Sequence, residues 1–241
     1  MSGHSKWKTI KHKKALTDAK KSKVFSRISR MLSVAVREGG PKAEQNNALR
    51  LAIEKAREAN MPGDNIQKII AKYSEGGKEQ LETIQFEGYG PGGTAFIIDV
   101  ITDSRNRAAQ EIRHTLSSHG GSLASPGSVM WMFERYGSLI LPLDGTSFPS
   151  AEELALEAGA HDILEEDGKA VMLTRPDDLS RVKKFLDDKN ARVESAGLEY
   201  RAKTSVPVAD AALKKKIEDL YEELDDNEDV QEIYDNIAFV S

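Results

Sequence analysis

Eight lysines fall within the first 23 residues: Lys6, Lys8, Lys11, Lys13, Lys14, Lys20, Lys21 and Lys23. Arg27 and Arg30 continue the series. Cations at this density can track a polyanion, because each neutralised phosphate releases condensed counterions. Arginine adds a planar donor that grips a phosphate through two bonds. Trp7 and His12 sit among the lysines, and an aromatic ring between cations is the combination used to stack on bases while the backbone is held. Residues 1–37 carry eleven Lys/Arg against one acid. The alternative, a solvated basic face with Trp7 packed on its own domain, is weakened by that scarcity of acids.

Other residues suggest chemistry and lose the case on spacing. Gly88-Tyr89-Gly90-Pro91-Gly92-Gly93 has the form G-x-G-x-x-G, but dinucleotide binding needs a helix next, and a strand pattern follows. A hairpin loop, open to close approach by a partner's backbone, fits better. Gly120-Gly121 and Ser125–Ser128 are similar loops. His114 and His119 are five apart, off one helix face, and Asp99 and Asp103 imply no base or metal partner. There is no cysteine, no phosphate-binding G-x-x-x-x-G-K-[ST] and no G-x-S-x-G. These absences predict a protein that is not an enzyme, without cofactor, metal or small-molecule substrate. Arg105 and Arg107 open a helix against its macrodipole, so a second nucleic-acid contact and surface ion pairing both suit them. Met130-Trp131-Met132-Phe133 is apolar on both faces and reads as a buried central strand. Ten carboxylates between Glu218 and Asp235 read as a solvated face that repels nucleic acid.

The elements that must carry these residues follow from periodicity. Residues 1–16 offer little to bury and read as an arm. A helix is expected from Thr17 or Asp18 to about Glu38, closed by Gly39-Gly40. Val24, Phe25, Ile28, Met31, Leu32, Ala35 and Val36 share one arc of it, and Lys20, Lys23, Arg27, Arg30 and Arg37 lie opposite. Lys21 falls inside the apolar arc and Val34 inside the basic one. Two further helices, after Pro41 and Asp64, complete a small helical domain. The period then changes to strands. Residues 137–202 read β-α-β-β-α-β, the split-βαβ or ferredoxin-like order, with Asp167-Gly168 as a hairpin turn. The pieces on either side cannot each form a core. The expected fold class is therefore α+β with three domains: a basic arm and three-helix domain over 1–79, a discontinuous ferredoxin-like domain over 80–136 plus 205–241, and an inserted one over 137–204. The RNA-recognition domain shares this strand order, but its RNP aromatic pattern is missing.

Charge repeats the division. The chain of 241 residues has 34 Lys+Arg and 39 Asp+Glu, net −5. Residues 1–79 hold 18 cations against 8 acids, net +10, and residues 80–241 are net −15. Residues 38–79 are neutral, so the excess sits in the arm and first helix. No apolar run approaches the roughly 18 residues a membrane span needs, the N-terminus lacks a signal peptide's apolar stretch, and the absence of cysteine fits a reducing compartment. A cytoplasmic protein without membrane contact is expected.

The string from Gly3 to Ile28 (GHSKWKTIKHKKALTDAKKSKVFSRI) closely resembles the N-terminus of the YebC family. The likeness continues through Asn46–Pro62, Glu87–Gly93 and the GSV…MFER…G pattern of Gly127–Gly137. The family usually has Asp-Asn-Arg-Asn-Arg where this chain has Asp103-Ser104-Arg105-Asn106-Arg107, and Gly-Gly-Asn-Leu-Gly where it has Gly120–Ala124. The resemblance implies three domains, no enzymatic activity and nucleic acid as partner. Bacterial members are called transcriptional regulators, and a mitochondrial member is the translational activator of cytochrome oxidase subunit one. It thus implies DNA binding in transcription control or, alternatively, ribosome association through rRNA or tRNA. A third reading, from the residues themselves, is a protein-interaction scaffold working through the acidic body.

Overall fold

The computed structural model describes residues 18–74, 76, 80–145 and 147–240, with side chains from Lys21 onward. In chain order the elements are α1 (Asp18–Gly39), α2 (Asn47–Glu58), α3 (Gly63–Ser74), β1 (Glu82–Tyr89), β2 (Ala95–Thr102), α4 (Arg105–Ser118), β3 (Ser122–Leu123), β4 (Phe133–Pro142), α5 (Phe148–Ala158), β5 (Asp162–Glu166), β6 (Lys169–Thr174), α6 (Leu179–Asp188), β7 (Ser195–Ala202), β8 (Val206–Val208), α7 (Ala211–Asp226), β9 (Val230–Asp235) and β10 (Ile237–Phe239). The fold is α+β: a helical domain and two sheet domains, one inserted in the other. The chain forms two compact units, Phe133–Arg201 and the remainder.

In the first unit, Ile28, Leu32, Ala35 and Val36 of α1 pack on Leu49, Ala52 and Ala56 of α2 and on Met61 and Ile66. The turn between α1 and α2 is built on Asn46. Its side chain accepts from the Leu49 N–H at 3.0 Å and donates to the carbonyls of Ala35 and Gly40. A Cβ on Gly39 would lie 2.6 Å from that amide, so the turn requires glycine there. The opposite side of α1 is also covered. Val34, the apolar residue on the basic arc, is 7% exposed and packs with Leu81 and Ile101.

Ile101 belongs to a sheet of spatial order β3-β1-β2-β9, antiparallel at each pairing. Strand β2 is buried on both faces. Its Phe96, Ile98 and Val100 meet Ala108, Ile112 and Leu116 of α4 and Ile217, Leu220 and Leu224 of α7. Phe96 meets Tyr221 edge-on at 5.6 Å. A parallel pair, β8 with β10, stands apart. The expectation of a strand through Met130–Phe133 fails. Met130–Met132 is a single 3-10 turn, the strand starts at Phe133, and Trp131 is 66% exposed. The cause is a carboxylate forty residues earlier, described below.

The second unit is the split-βαβ module. Its sheet order is β5-β6-β4-β7. The hairpin turn places Asp167 at φ 49° and Gly168 at φ 74°, the left-handed pair that matches the twist of its strands. Leu139, Leu141, Ala170 and Met172 face Ala151, Ala155 and Ala158 of α5 and Leu179, Val182 and Leu186 of α6.

Candidate nucleic-acid interface

Of the fourteen residues that the sequence assigns to phosphate and base contact, seven, namely Lys6, Trp7, Lys8, Lys11, His12, Lys13 and Lys14, lie outside the described residues. Lys20 lies in α1 with its side chain outside them. Lys21 is exposed. The other five are placed in detail, and four of them pair with carboxylates; for Arg107 this is the surface ion pairing that the sequence left open.

Those four meet acids from α7 and from the loop between α7 and β9, and Arg107 also meets Asp103 and Glu111. Lys23 Nζ is 2.7 Å from Asp226. Arg27 Nη1 donates to Asp225 at 2.8 Å, and its Nη2 reaches the carbonyls of Asp225 and Asn227. Arg30 Nη1 pairs with Asp229 at 2.5 Å and donates to the Ile101 carbonyl. Arg107 Nη2 bonds Asp229 at 2.8 Å and Asp103 at 2.8 Å, with Glu111 at 3.7 Å from its Nε. Beside them Lys55 pairs with Glu232 at 2.8 Å, and Arg37 donates to the Leu81 carbonyl. Arg27 is 7% exposed and Asp229 4%. The physical reason is plain. A basic helix face and an acidic stretch in one chain neutralise each other when the apolar residue between the cations, Val34, also needs cover. The acidic stretch is accordingly no fully solvated face, since Asp225, Asp226, Asp229 and Glu232 serve this seam.

Asp229 is the centre. Its Oδ2 accepts from both Thr102 Oγ1 and Arg107, and its Oδ1 pairs with Arg30. The hydrogen bond that Arg107 donates to Asp229 outweighs burial and, with the further bond it donates to Asp103, holds the guanidinium protonated, above its ordinary pKa. Asp103 therefore serves Arg107, and Ser104 stands at the N-cap of α4 without a side-chain cap bond. Arg105 is different: it is exposed, and among the described residues no carboxylate pairs with it.

The glycine-rich loops converge around Glu87 of β1. This side chain is 6% exposed. It accepts from the backbone N–H groups of Gly127 at 2.5 Å, Val129 at 2.7 Å and Met130 at 2.9 Å. Burial alone would raise its pKa, but the three donors outweigh burial and hold it below the ordinary carboxylate value. This is what curls Ser125–Met132 into a turn. Beneath it, a Cβ on Gly121 would lie 2.2 Å from the Tyr89 carbonyl, so that crossing requires glycine. A lowered carboxyl pKa contributes stability that is full near neutral pH and is lost as pH falls through the folded-state value. Glu87→Gln is expected to cost about 1–3 kcal/mol at pH 7, the cost of under-satisfied buried donors. The gap from the parent chain should narrow toward acid pH in urea titrations.

Two of the remaining candidates, His119 and Asp99, have structural partners. His119 Nε2 lies 2.7 Å from Glu223, tying α4 to α7. Asp99 accepts from Gln85 across β1 and β2. Among the described residues no group of three His, Cys, Asp or Glu is arranged to hold a metal ion, and no helix is long and apolar enough to cross a membrane.

Comparison with known proteins covers nearly the whole chain. Residues 5–76 match the family model described as the TACO1/YebC protein N-terminal domain, and residues 81–237 match that of the TACO1/YebC second and third domain. The chain is 45% identical to a probable transcriptional regulatory protein of Halothermothrix orenii, over 98% of this chain and 94% of that protein. It is 48% identical to a probable transcriptional regulatory protein of Pseudothermotoga lettingae, over 98% and 93%. The crystal structure of a conserved hypothetical protein from Aquifex aeolicus superposes with a TM-score of 0.90 at 37% identity, covering 98% of each chain.

Proposed function

The chain belongs to the TACO1/YebC family, and from that premise we propose that it is a non-enzymatic regulator of gene expression that binds nucleic acid through its lysine-rich N-terminal segment. One observation carries the reading. Residues 1–37 hold eleven cations against one acid, in a chain whose residues from 80 onward are net −15. Lys6, Lys8, Lys11, Lys13 and Lys14 supply phosphate contacts, and Trp7 and His12 supply rings between them. Lys20, Lys21 and Arg105 extend the cationic surface. The work is occupancy: counterion release drives association, and phosphate contacts set register without reading sequence. The relatives' shared name, probable transcriptional regulatory protein, favours DNA and transcription.

A second reading, ribosomal RNA or tRNA contact in a translation factor, draws on the seam. With Arg27 and Arg30 turned to Asp225 and Asp229, α1 keeps no rigid arginine pair for base edges. A lysine contact that does not read sequence suits folded RNA as well as duplex DNA.

Sedimentation of a cell lysate at low and high salt, with RNase or DNase, tests the proposal. The expected result is co-migration with nucleic acid at low salt and release at high salt. Release by DNase selects the transcription reading, and release by RNase from ribosomal particles selects the translation reading. A protein that stays at the top of the gradient under both salts overturns the proposal.

A further inference from the structure

We propose that Trp131 is a stacking platform for an unpaired nucleobase, presented by the loop that Glu87 holds; this rests on the nucleic-acid reading above. Trp131 is 66% exposed, yet everything around it is fixed. Its indole Nε1 donates to the Ser128 carbonyl at 2.9 Å, which sets the ring's orientation. Tyr89 Oη donates to the same carbonyl at 3.2 Å. On one side the Met130 N–H is bonded to Glu87. On the other, Met132 N–H donates to the Val129 carbonyl and Lys203 N–H to the Met132 carbonyl. A buried carboxylate is thus committed to presenting an exposed ring. A ring fixed before binding loses little entropy on binding, which is the property of an aromatic anchor.

Charge selects the occupant. No Asp, Glu, Lys or Arg occurs from His114 to Phe133, in a chain that is 30% charged. The carboxylate beneath the loop, Glu87, is taken up by three donors. The Trp131 loop is therefore a carboxylate-free stretch of sequence between Arg113 and Glu134 through which a polyanion can approach, with exposed Lys203 beside it for the backbone. A protein partner would need a wider apolar core around its anchor, and no other large hydrophobic side chain of this loop is exposed. Duplex DNA hides its base faces in the stack, so the fitting ligand is a single strand or an unpaired base in folded RNA.

The chain has two tryptophans, Trp7 and Trp131, so the full-length Trp7→Phe chain reports Trp131 alone and is the reference for each comparison. Titration with an unstructured single-stranded RNA is expected to quench its emission saturably. Trp131→Ala in that background should weaken binding about five- to hundredfold, the range for loss of one stacked base, at an unchanged salt slope. Trp131→Phe should restore most of the loss, and circular dichroism should be the same for all three. Binding that weakens on Lys→Glu substitution of the arm, but neither quenches Trp131 nor responds to Trp131→Ala, overturns the platform and leaves the nucleic-acid reading standing. Equal quenching by duplex DNA overturns the unpaired base. Absence of any nucleic-acid binding at low salt overturns the reading and the platform together.

Discussion

Asp229→Ala is expected to lower the unfolding free energy of its unit by about 3–5 kcal/mol, the cost of removing one partner from a buried ion pair. The magnitude follows from what is left behind. Asp229 is 4% exposed and bonds Arg30, Arg107 and Thr102. Without it, Arg30 keeps one carbonyl partner and Arg107 falls back on Asp103 and Glu111. Asp229→Asn keeps the shape and an acceptor but not the charge, and should fall between the two. Because the Asp229 carboxylate itself is buried, added salt should rescue little of the loss. Denaturant unfolding checks this. A chain of two compact units has no single two-state midpoint by default, so a probe on the sheet domain, such as exchange protection of β2 and β9 amides, should accompany the global midpoint. A loss under about 1 kcal/mol would assign Asp229 to the category of surface pairs and undo the account of the seam.

How far the sequence speaks depends on how far apart the interacting residues are. The hairpin at Asp167-Gly168, the split-βαβ order and the apolar arc of α1 are local or periodic, and all three are legible. The second face of α1 is not, because Arg27 and its partner Asp225 are 198 residues apart. Two local signs point there. Val34 stands in the basic arc without a solvent-facing reason, and the cations nearest it are arginines, which suit buried pairs better than lysine. The run Met130–Phe133 misleads for the same reason. Composition there says strand, but the backbone N–H groups are claimed by Glu87, which no window around Trp131 contains. Local composition therefore assigns the exposed ring to the core. Trp7 and the lysines around it differ: their chemistry is evident from composition, and their side chains lie outside the described residues.

The seam also decides which substitutions can test binding. Lys11→Glu, Lys13→Glu and Lys14→Glu together should reduce nucleic-acid affinity on the order of a hundredfold at low salt. The same change should flatten the dependence of log K on log salt by about 2–3, since each lost phosphate contact removes roughly 0.7–0.9 from the slope. Thermal stability should stay at the parent value, which separates binding from folding. Arg27→Glu gives the opposite pattern. It sets a carboxylate against Asp225, 2.8 Å from where the guanidinium now sits, and leaves two backbone carbonyls without their donor. Its primary effect is on stability, and a loss of binding would follow from unfolding. Filter binding at three salt concentrations, paired with a melting curve for each variant, distinguishes the two. If the triple lysine variant binds with the parent affinity and slope, the arm is not the phosphate contact, and the cationic surface must be sought at Lys21 and Arg105 instead.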